Sequence, residues 1–223
     1  MRDKRSIRVQ NLHEILLSKF LPSDELKREI NTKDFLNSFE KRSFLKVYQS
    51  LGGLLDFPEI IFSMPILEFG RFSVLLDEPI HFNRYRSKTL RSDFYESLTS
   101  FPLMKYRTYC RKYEAECLKA GTSNPFWTNE LAQKHFGPSQ QSGDLGLQGS
   151  SGWKLAAFRD YSIDLYARQE KIRLVRISVW DDIMINMKLK KLNEILISPG
   201  KVEAEKVLKY VEAKVIGLYA DDF

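Results

Sequence analysis

The sequence predicts an α/β fold in which a small mixed sheet is flanked by helices, with a helical N-terminal extension and an insertion of helices and loop. Residues 65–76 have the pattern of a hairpin that turns near Gly70, and its second strand is almost entirely apolar. Residues 172–180 alternate apolar and polar side chains, which is typical of a half-buried strand. Because a strand that is apolar on both faces is normally central in a covered sheet, we expect the second hairpin strand at its centre.

The N-terminal part of the chain, residues 6–51, is predicted to be helical. Ser23 is expected to cap one helix, because two acidic residues follow it in Ser23-Asp24-Glu25. Thr32 is expected to cap a second helix, which ends at Gly52-Gly53. Residues 58–61 then open an extended region that leads into the hairpin.

Helices also dominate the prediction beyond the hairpin. Residues 85–120 have helical spacing that is interrupted near Phe101-Pro102 and ends at Gly121. Residues 121–152 are rich in glycine and are expected to form a long irregular loop. Helical patterns resume over residues 153–169, 182–196 and 202–218.

The chain is predicted to be a single domain over residues 1–223. Its parts are a helical N-terminal region (1–57), a core (58–182) with an insertion (87–152), and C-terminal helices (183–223).

The composition indicates a globular protein of moderately basic character. The hydrophobic share of 43% supports a core and excludes global disorder, and the net charge of +6 favours a nucleic-acid partner to a modest degree. Cys110 and Cys117 lie seven residues apart in a predicted helix, too far along the axis for a disulfide. We therefore expect reduced packing cysteines in a cytoplasmic protein. No apolar run approaches the roughly 18 residues that span a membrane, so no membrane partner is expected.

Asp77, Glu78 and His81 form the first candidate site. Carboxylates at the exit of a buried strand can hold Mg²⁺ or Mn²⁺, which activates water and neutralises a phosphate, and a nearby histidine can transfer protons. The alternative is that the two acids only end the strand and that Pro79 forms a turn. The asparagine and two arginines that follow favour a functional site, because a turn does not require them.

Asn83, Arg84 and Arg86 begin a basic stretch that also carries aromatic residues. Guanidinium groups suit phosphate oxygens, and aromatic rings can stack on an unpaired base. Acidic residues are interleaved with the basic ones, so a solvated helix face of mixed charge is the alternative interpretation. The further members of the stretch are Tyr85, Lys88, Arg91, Tyr95, Lys105, Arg107, Arg111 and Lys112.

The glycine-bearing segment 143–154 does not match a nucleotide-binding loop, because its spacing fits neither the dinucleotide nor the P-loop pattern. Lys154, at the start of the next predicted helix, could still contact a phosphate with help from the helix dipole. His13 and His135 have no Cys or His at ligand spacing, which argues against a structural zinc site. No Gly-x-Ser-x-Gly segment supports a serine hydrolase.

The order of these parts resembles the restriction-endonuclease-like fold, in particular its very-short-patch-repair type. In that family a strand ending in an acid-x-Asp-Gly-x-x-His pattern is followed by a helix with polar contacts and a strand that reads roughly Leu-x-Arg-Ile. Here the hairpin ends in Val-Leu-Leu-Asp-Glu-Pro-Ile-His-Phe, and a helix with Asp160 and Asp164 leads into Ile172-Arg173-Leu174-Val175-Arg176-Ile177. The resemblance covers residues 59–86 and 153–182. The phrase Leu-Asp-Glu-x-x-His-Phe-Asn-Arg-Tyr-Arg, which begins at Leu76, also looks like bacterial proteins of uncharacterised function.

Asp77 and His81 match the family pattern, whereas Leu75 stands where the family has a carboxylate and Glu78 where it has a glycine. The resemblance therefore implies one of two outcomes. Either the metal site is rearranged around Glu78, or it is degenerate in a fold that binds nucleic acid without cutting it.

The sequence thus predicts a Mg²⁺- or Mn²⁺-dependent nuclease, or a nuclease-derived protein that binds DNA or RNA. Asp77 and Glu78 are the predicted metal ligands and, with His81, the predicted catalytic residues; Asp160 is a weaker supporting candidate. Two alternatives stay open: a non-enzymatic module with a protein partner, and a buried salt-bridge network that only holds the helices to the sheet. The predicted nucleic-acid contacts are Asn83, Arg84, Arg86 and Lys154.

Overall fold

The computed structural model describes residues 4–23 and 28–220. In chain order the helices and strands are α1 (Lys4–Leu17), β1 (Glu29–Asn31), α2 (Lys41–Ser50), β2 (Ile61–Ser63), β3 (Leu67–Phe69), β4 (Phe72–Asp77), α3 (Arg84–Thr89), α4 (Leu103–Lys112), α5 (Glu114–Gly121), α6 (Glu130–Phe136), α7 (Ser151–Gln169), β5 (Leu174–Ser178), β6 (Asp182–Ile185), β7 (Lys188–Lys191), α8 (Leu192–Ile195) and α9 (Lys201–Ala220). Short 3₁₀ helices add Thr32–Phe35, Pro79–His81 and Asp93–Ser97.

The chain divides into two compact units, each built from separate segments. Unit 1 comprises residues 1–26, 65–78 and 171–223, and unit 2 comprises residues 27–64 and 79–170. The predicted class, a mixed α/β protein with small sheets flanked by helices, is confirmed. The single-domain organisation stays a prediction.

Unit 1 contains a three-stranded sheet with the order β3-β4-β5. β3 and β4 form the predicted antiparallel hairpin around Gly70, and β5 runs parallel to β4 with Val74 opposite Val175. Every residue of β4 is buried, as its apolar sequence predicts for a central strand. The sheet therefore delivers Asp77 at the end of its best-covered strand.

The predicted helix over residues 182–196 is wrong for most of its length. β6 and β7 form an antiparallel hairpin there, and only the four residues of α8 are helical. The turn residues Asn186 and Met187 have positive φ angles of 48° and 62°, which suits a tight hairpin turn that matches the strand twist. Ile183 and Ile185 are buried between exposed neighbours, so the burial has the period of a strand. The predicted C-terminal helix is confirmed as α9, which packs against α1, β5 and β6.

Unit 2 begins with a departure from the predicted N-terminal helices. β1 pairs with β2 in a short antiparallel ladder, so residues 29–31 are a strand. Thr32 does not cap a helix; its hydroxyl donates to the carbonyl of Pro58 and accepts from the N–H of Ile60. The helix that ends before Gly52 starts only at Lys41. The predicted cap at Ser23-Asp24-Glu25 lies outside the described residues, since 24–27 are not described.

The rest of unit 2 is helical, with α7 packed against α2, α3 and α6. The interruption near Phe101-Pro102 is confirmed, and a further break at Tyr113 separates α4 from α5. The predicted loop over residues 121–152 is wrong in part, because Asn129 caps α6 within it through the N–H of Ala132. The buried ring of Phe158 packs in tilted geometry against those of Phe44 and Tyr48, with centroids 4.9 and 5.2 Å away.

Both cysteines are buried and form no disulfide, which confirms their predicted packing role. Among the described residues, no helix combines the length and apolar character that crossing a membrane requires.

Candidate functional site

Asp77, the last residue of β4, carries its carboxylate in a buried ion pair within unit 1. The Nη1 atom of Arg176 donates to Oδ1 of Asp77 over 2.6 Å, and both side chains are almost completely buried. Arg176 reaches it because β5 places this arginine opposite Leu75, two positions before the acid on the neighbouring strand. Leu75, which stands where the restriction-endonuclease-like pattern has a carboxylate, is therefore paired with a residue that carries a guanidinium.

Glu78 is also buried and also paired with an arginine of unit 1. Nε of Arg8 donates to both oxygens of Glu78, over 3.2 and 3.0 Å, and Nη2 of Arg8 contacts Oε2. The same guanidinium donates to Oδ1 of Asn193 over 2.9 Å. A metal ion at Asp77 or Glu78 would therefore compete with a guanidinium already bound there, most directly at Glu78, where Arg8 contacts both oxygens.

His81 and Asp160 form a close pair within unit 2. His81 ends the 3₁₀ helix Pro79–His81, and its Nδ1 lies 2.8 Å from Oδ2 of Asp160 on α7. A carboxylate acceptor at this distance favours the tautomer of the neutral ring that carries its proton on Nδ1. Nε2 is then the basic nitrogen of the ring. Partial exposure of the histidine and burial of the aspartate suit a base that is held in one orientation.

Asn83 and Arg86 make buried contacts that organise α3. Asn83 caps this helix, because its Oδ1 accepts from the N–H groups of Tyr85 and Arg86 over 3.0 and 3.1 Å. Arg86 donates to Oδ2 of Asp164 over 2.9 Å and to the hydroxyl of Tyr95 over 2.8 Å. Both side chains are buried with their polar groups already engaged in these contacts, which argues against phosphate contact by either, although their role in nucleic-acid binding stays a prediction.

Arg84 lies at the surface and forms a bidentate salt bridge with Glu114. Nε and Nη2 of Arg84 each donate to one oxygen of Glu114 over 2.9 Å, and the half-exposed guanidinium remains close to solvent. Hydrogen bonding to Glu114 raises the pKa of Arg84. Arg84 in turn outweighs the effect of burial on Glu114 and lowers the pKa of that carboxyl. Arg84 therefore supplies a cation that is already largely neutralised.

Lys154 differs from the other predicted nucleic-acid contacts, because its ammonium has no hydrogen bond or ion pair with any described residue. The residue is only 6% exposed, and Nζ lies 5.8 Å from the centroid of the Tyr85 ring. Burial lowers the pKa of Lys154, and the charge of Lys88 lowers it further. An anion near this ammonium would relieve both effects.

The start of α7 contributes less to anion binding than its sequence position suggests. The N–H of Ser151 donates to the hydroxyl of Ser139, that of Gly152 to the carbonyl of Trp127, and that of Trp153 to the Ser150 hydroxyl. These donors are the groups with which a helix start binds a phosphate. An anion at Lys154 would therefore be held by the side chain.

Sequence reasoning missed the two arginines that bind the strand-end acids. Arg8 precedes Glu78 by 70 residues, and Arg176 follows Asp77 by 99 residues. Arg176 had a misleading signal, because the alternating pattern of residues 172–180 predicts it on the polar face of a half-buried strand. Arg8 had none, since its helix carries many polar residues.

The donor atoms of the candidate residues suit different divalent ions. An imidazole nitrogen with a carboxylate oxygen, as in His81 and Asp160, is a donor set for Mn²⁺ more than for Mg²⁺, which prefers oxygen ligands alone. Asp77 and Glu78 are the oxygen ligands that the sequence predicts, and each has a guanidinium in contact. The ligand role of these two acids stays a prediction.

Comparison with models of protein families found one match. A model described as a family of unknown function, DUF7255, matches residues 46–198, which is more than half of the chain. The chain belongs to this family. Comparison with curated proteins found no match, and comparison with solved structures found none either. The matched range of DUF7255 includes Asp77, His81, Lys154 and Asp160 but not Arg8.

Proposed function

We propose that this DUF7255 protein is a nuclease-like or nuclease-derived protein that binds nucleic acid through its phosphates. The observation that carries the proposal is the His81–Asp160 pair, whose 2.8 Å contact orients an imidazole as a general base requires. The basic character of the chain, with a net charge of +6, agrees with a polyanionic partner.

The order of the secondary structure supports the same proposal. The β3–β4 hairpin is followed, after α7, by β5 as the parallel neighbour of β4. This is the order of parts in the restriction-endonuclease-like resemblance, and that finer fold assignment belongs to the proposal.

In this proposal the side chains have separate tasks. His81, held by Asp160, accepts a proton at Nε2 from the attacking water. Lys154 neutralises a phosphate oxygen, because among the three cationic contacts predicted as Arg84, Arg86 and Lys154 its ammonium alone lacks an acceptor in the described part of the chain. A bound Mg²⁺ or Mn²⁺ would supply charge neutralisation at the phosphate.

The ion pairs at Asp77 and Glu78 favour the non-cutting form of the proposal. A guanidinium bound to each carboxylate already neutralises the charge that attracts a metal. Binding without cleavage is therefore an expected outcome for this chain, with Lys154 as its main phosphate contact.

The test measures cleavage and binding together. The wild type is incubated with labelled single- and double-stranded DNA and RNA in Mg²⁺ or Mn²⁺, and binding is followed by fluorescence anisotropy from about 50 to 200 mM salt. If cleavage occurs, His81→Ala should slow it by about 10²–10⁴-fold and Asp160→Asn by about 10–100-fold. His13→Ala, a histidine of unit 1, is the matched control and should leave the rate unchanged.

Lys154→Met tests the binding component. Its affinity should fall at every sequence tested, and the slope of log affinity against log salt should become shallower by about one. Arg42→Met, which removes an exposed cation of α2, is the control for net charge. A wild-type protein that neither binds nor cleaves any of these nucleic acids at 50 mM salt would refute the proposal.

A further inference from the structure

The cations of the basic stretch that follows Asn83 differ in whether a carboxylate binds them. Its first two arginines, Arg84 and Arg86, are both held by carboxylates. Three exposed cations that follow make no side-chain hydrogen bond or ion pair with any described residue. They are Lys88 in the last turn of α3, Arg91 just after this helix, and Arg111 on α4. These three charges are therefore open to an external anion.

Arg107 joins the end of α3 to α4. Its Nη2 and Nε donate to the carbonyl of Leu90 over 2.8 and 3.1 Å, which places this guanidinium beside the backbone of Arg91. The N–H of Arg91 donates to the carbonyl of Lys88 over 3.2 Å, so these two residues share a turn. Arg111 lies one turn beyond Arg107 on α4, where side chains four residues apart have Cβ atoms about 5–6 Å apart. We call Lys88, Arg91, Arg107 and Arg111 the α3–α4 basic surface.

Few acidic residues oppose this surface within its own segment. Between Lys88 and Arg111 the sequence contains two, Asp93 and Glu96. Oδ2 of Asp93 lies 3.6 Å from Nζ of Lys46, whereas the exposed Glu96 has no cation partner among the described residues. Arg107 is bonded to a carbonyl, which leaves its charge without a counter-ion. The surface therefore keeps a positive charge that complements a polyanion.

The aromatic residues of this stretch do not accompany the cations to the surface. Four of its tyrosines are at most 7% exposed: Tyr95, Tyr106, Tyr109 and Tyr113. The ammonium of Lys112 lies over the ring of Tyr113, 5.3 Å from its centroid, and the hydroxyl of Tyr85 accepts from the N–H of Ser150. Proteins that bind unpaired strands stack the bases on accessible aromatic rings. The four buried rings are not accessible for this, so the cations are left to contact phosphates.

An anionic membrane is a poorer partner for this surface than a nucleic acid. A helix binds a bilayer by burying an apolar face in it. Tyr106, Tyr109 and Cys110 of α4 are buried within the protein, and among the described apolar residues of this helix Met104 is the strongly exposed one. Three of the four cations are arginines, whose planar guanidinium can donate two hydrogen bonds to one phosphate.

We propose that the α3–α4 basic surface binds the phosphate backbone of a double-stranded nucleic acid, independently of base sequence. A duplex presents its phosphates on the outside and keeps its base faces stacked within, which matches exposed cations beside buried rings. The inference rests on the proposed function, because it assumes a nucleic-acid partner. It adds the form of the nucleic acid and contacts beyond the one at Lys154.

The experiment measures the affinity of the full chain for a short labelled duplex and for each of its separated strands. Fluorescence anisotropy is recorded from about 50 to 200 mM salt, with EDTA present so that no metal-dependent cleavage consumes the probe. DNA is used in one arm and RNA in the other. We expect the duplex to bind at least about tenfold more tightly than either strand, with the same affinity for two unrelated sequences.

The variant Arg91→Met/Arg111→Met should weaken duplex binding by about 10- to 100-fold, because two phosphate contacts are lost. The slope of log affinity against log salt should become shallower by about two, and by about one for Arg111→Met alone. The matched control is Arg71→Met/Lys206→Met, which removes two exposed cations of unit 1. This control should bind the duplex as the wild type does.

The outcomes separate this inference from the proposed function. If the wild type binds nucleic acid but Arg91→Met/Arg111→Met binds it equally well, the inference is overturned and the proposed function stands. The same holds if a separated strand binds more tightly than the duplex. If the wild type binds none of these nucleic acids, the proposed function fails and the inference fails with it. Vesicles of phosphatidylcholine and phosphatidylserine form the last arm, and binding to them without binding to the duplex would overturn the inference in favour of a lipid partner.

Discussion

The buried Arg86–Asp164 pair makes a quantitative prediction about stability, because the two partners respond differently to loss of the other. Oδ2 of Asp164 accepts from Nη2 of Arg86 over 2.9 Å and from the hydroxyl of Tyr95 over 2.6 Å. Both members of the ion pair are almost completely buried. Asp164→Asn leaves a guanidinium that cannot lose its charge, and we expect the free energy of unfolding to fall by about 3–5 kcal/mol.

Arg86→Met should cost less, about 2–3 kcal/mol, because a buried carboxylate left alone keeps the Tyr95 hydroxyl as a donor and can take up a proton. The double variant Arg86→Met/Asp164→Leu should be more stable than Asp164→Asn, since it leaves no buried charge. Urea unfolding followed by tryptophan fluorescence measures these differences at constant m-value. A loss below about 1 kcal/mol for Asp164→Asn, or a larger loss for Arg86→Met, would refute this account of the pair.

Three further predictions concern single positions. Gly152→Ala should destabilise unit 2, because a Cβ there would collide with the carbonyl oxygen of Phe126. Gly70→Ala, whose Cβ would have nothing within 4 Å, should be neutral in the same urea assay. Arg84 lowers the pKa of Glu114 below 4.5, so the pair stabilises the fold above that pH and loses its effect as the pH falls through the lowered value. The stability difference between wild type and Glu114→Gln should therefore be below about 1 kcal/mol at pH 7 and shrink steadily as the pH falls through the lowered pKa of Glu114. A difference that does not shrink over an acid titration would contradict the assignment. Burial raises the pKa of Cys117 to about 12, so iodoacetamide should label this thiol in urea and not in the native protein at pH 8, as mass spectrometry of the peptide would show.

The regular parts of the fold follow from local patterns that the sequence carries. The apolar run of β4 predicts a central strand, and the helical spacing of α7 and α9 predicts those helices, because each pattern extends over enough residues to have a period. The wrong predictions concern elements that are too short for their hydrophobic pattern to show a period. β1 has three residues and is a strand only because it pairs with β2. β6 and β7 are joined by two residues of positive φ, Asn186 and Met187, which lack the glycine that usually signals such a turn.

In the candidate site, too, some features can be predicted from the sequence and others depend on the tertiary structure. The sequence by itself determined which groups are candidates for a site, since Asp77, Glu78, His81 and Lys154 stand out by residue type and by their place at the ends of predicted elements. Only the tertiary structure decided their partners. Arg176 meets Asp77 across 99 residues, and His81 meets Asp160 across 79. Within each unit, packing of distant segments decides whether a buried charge is neutralised, as Arg86 is by Asp164. Local sequence cannot show this, because the energy of a buried charge depends on which groups surround it in three dimensions.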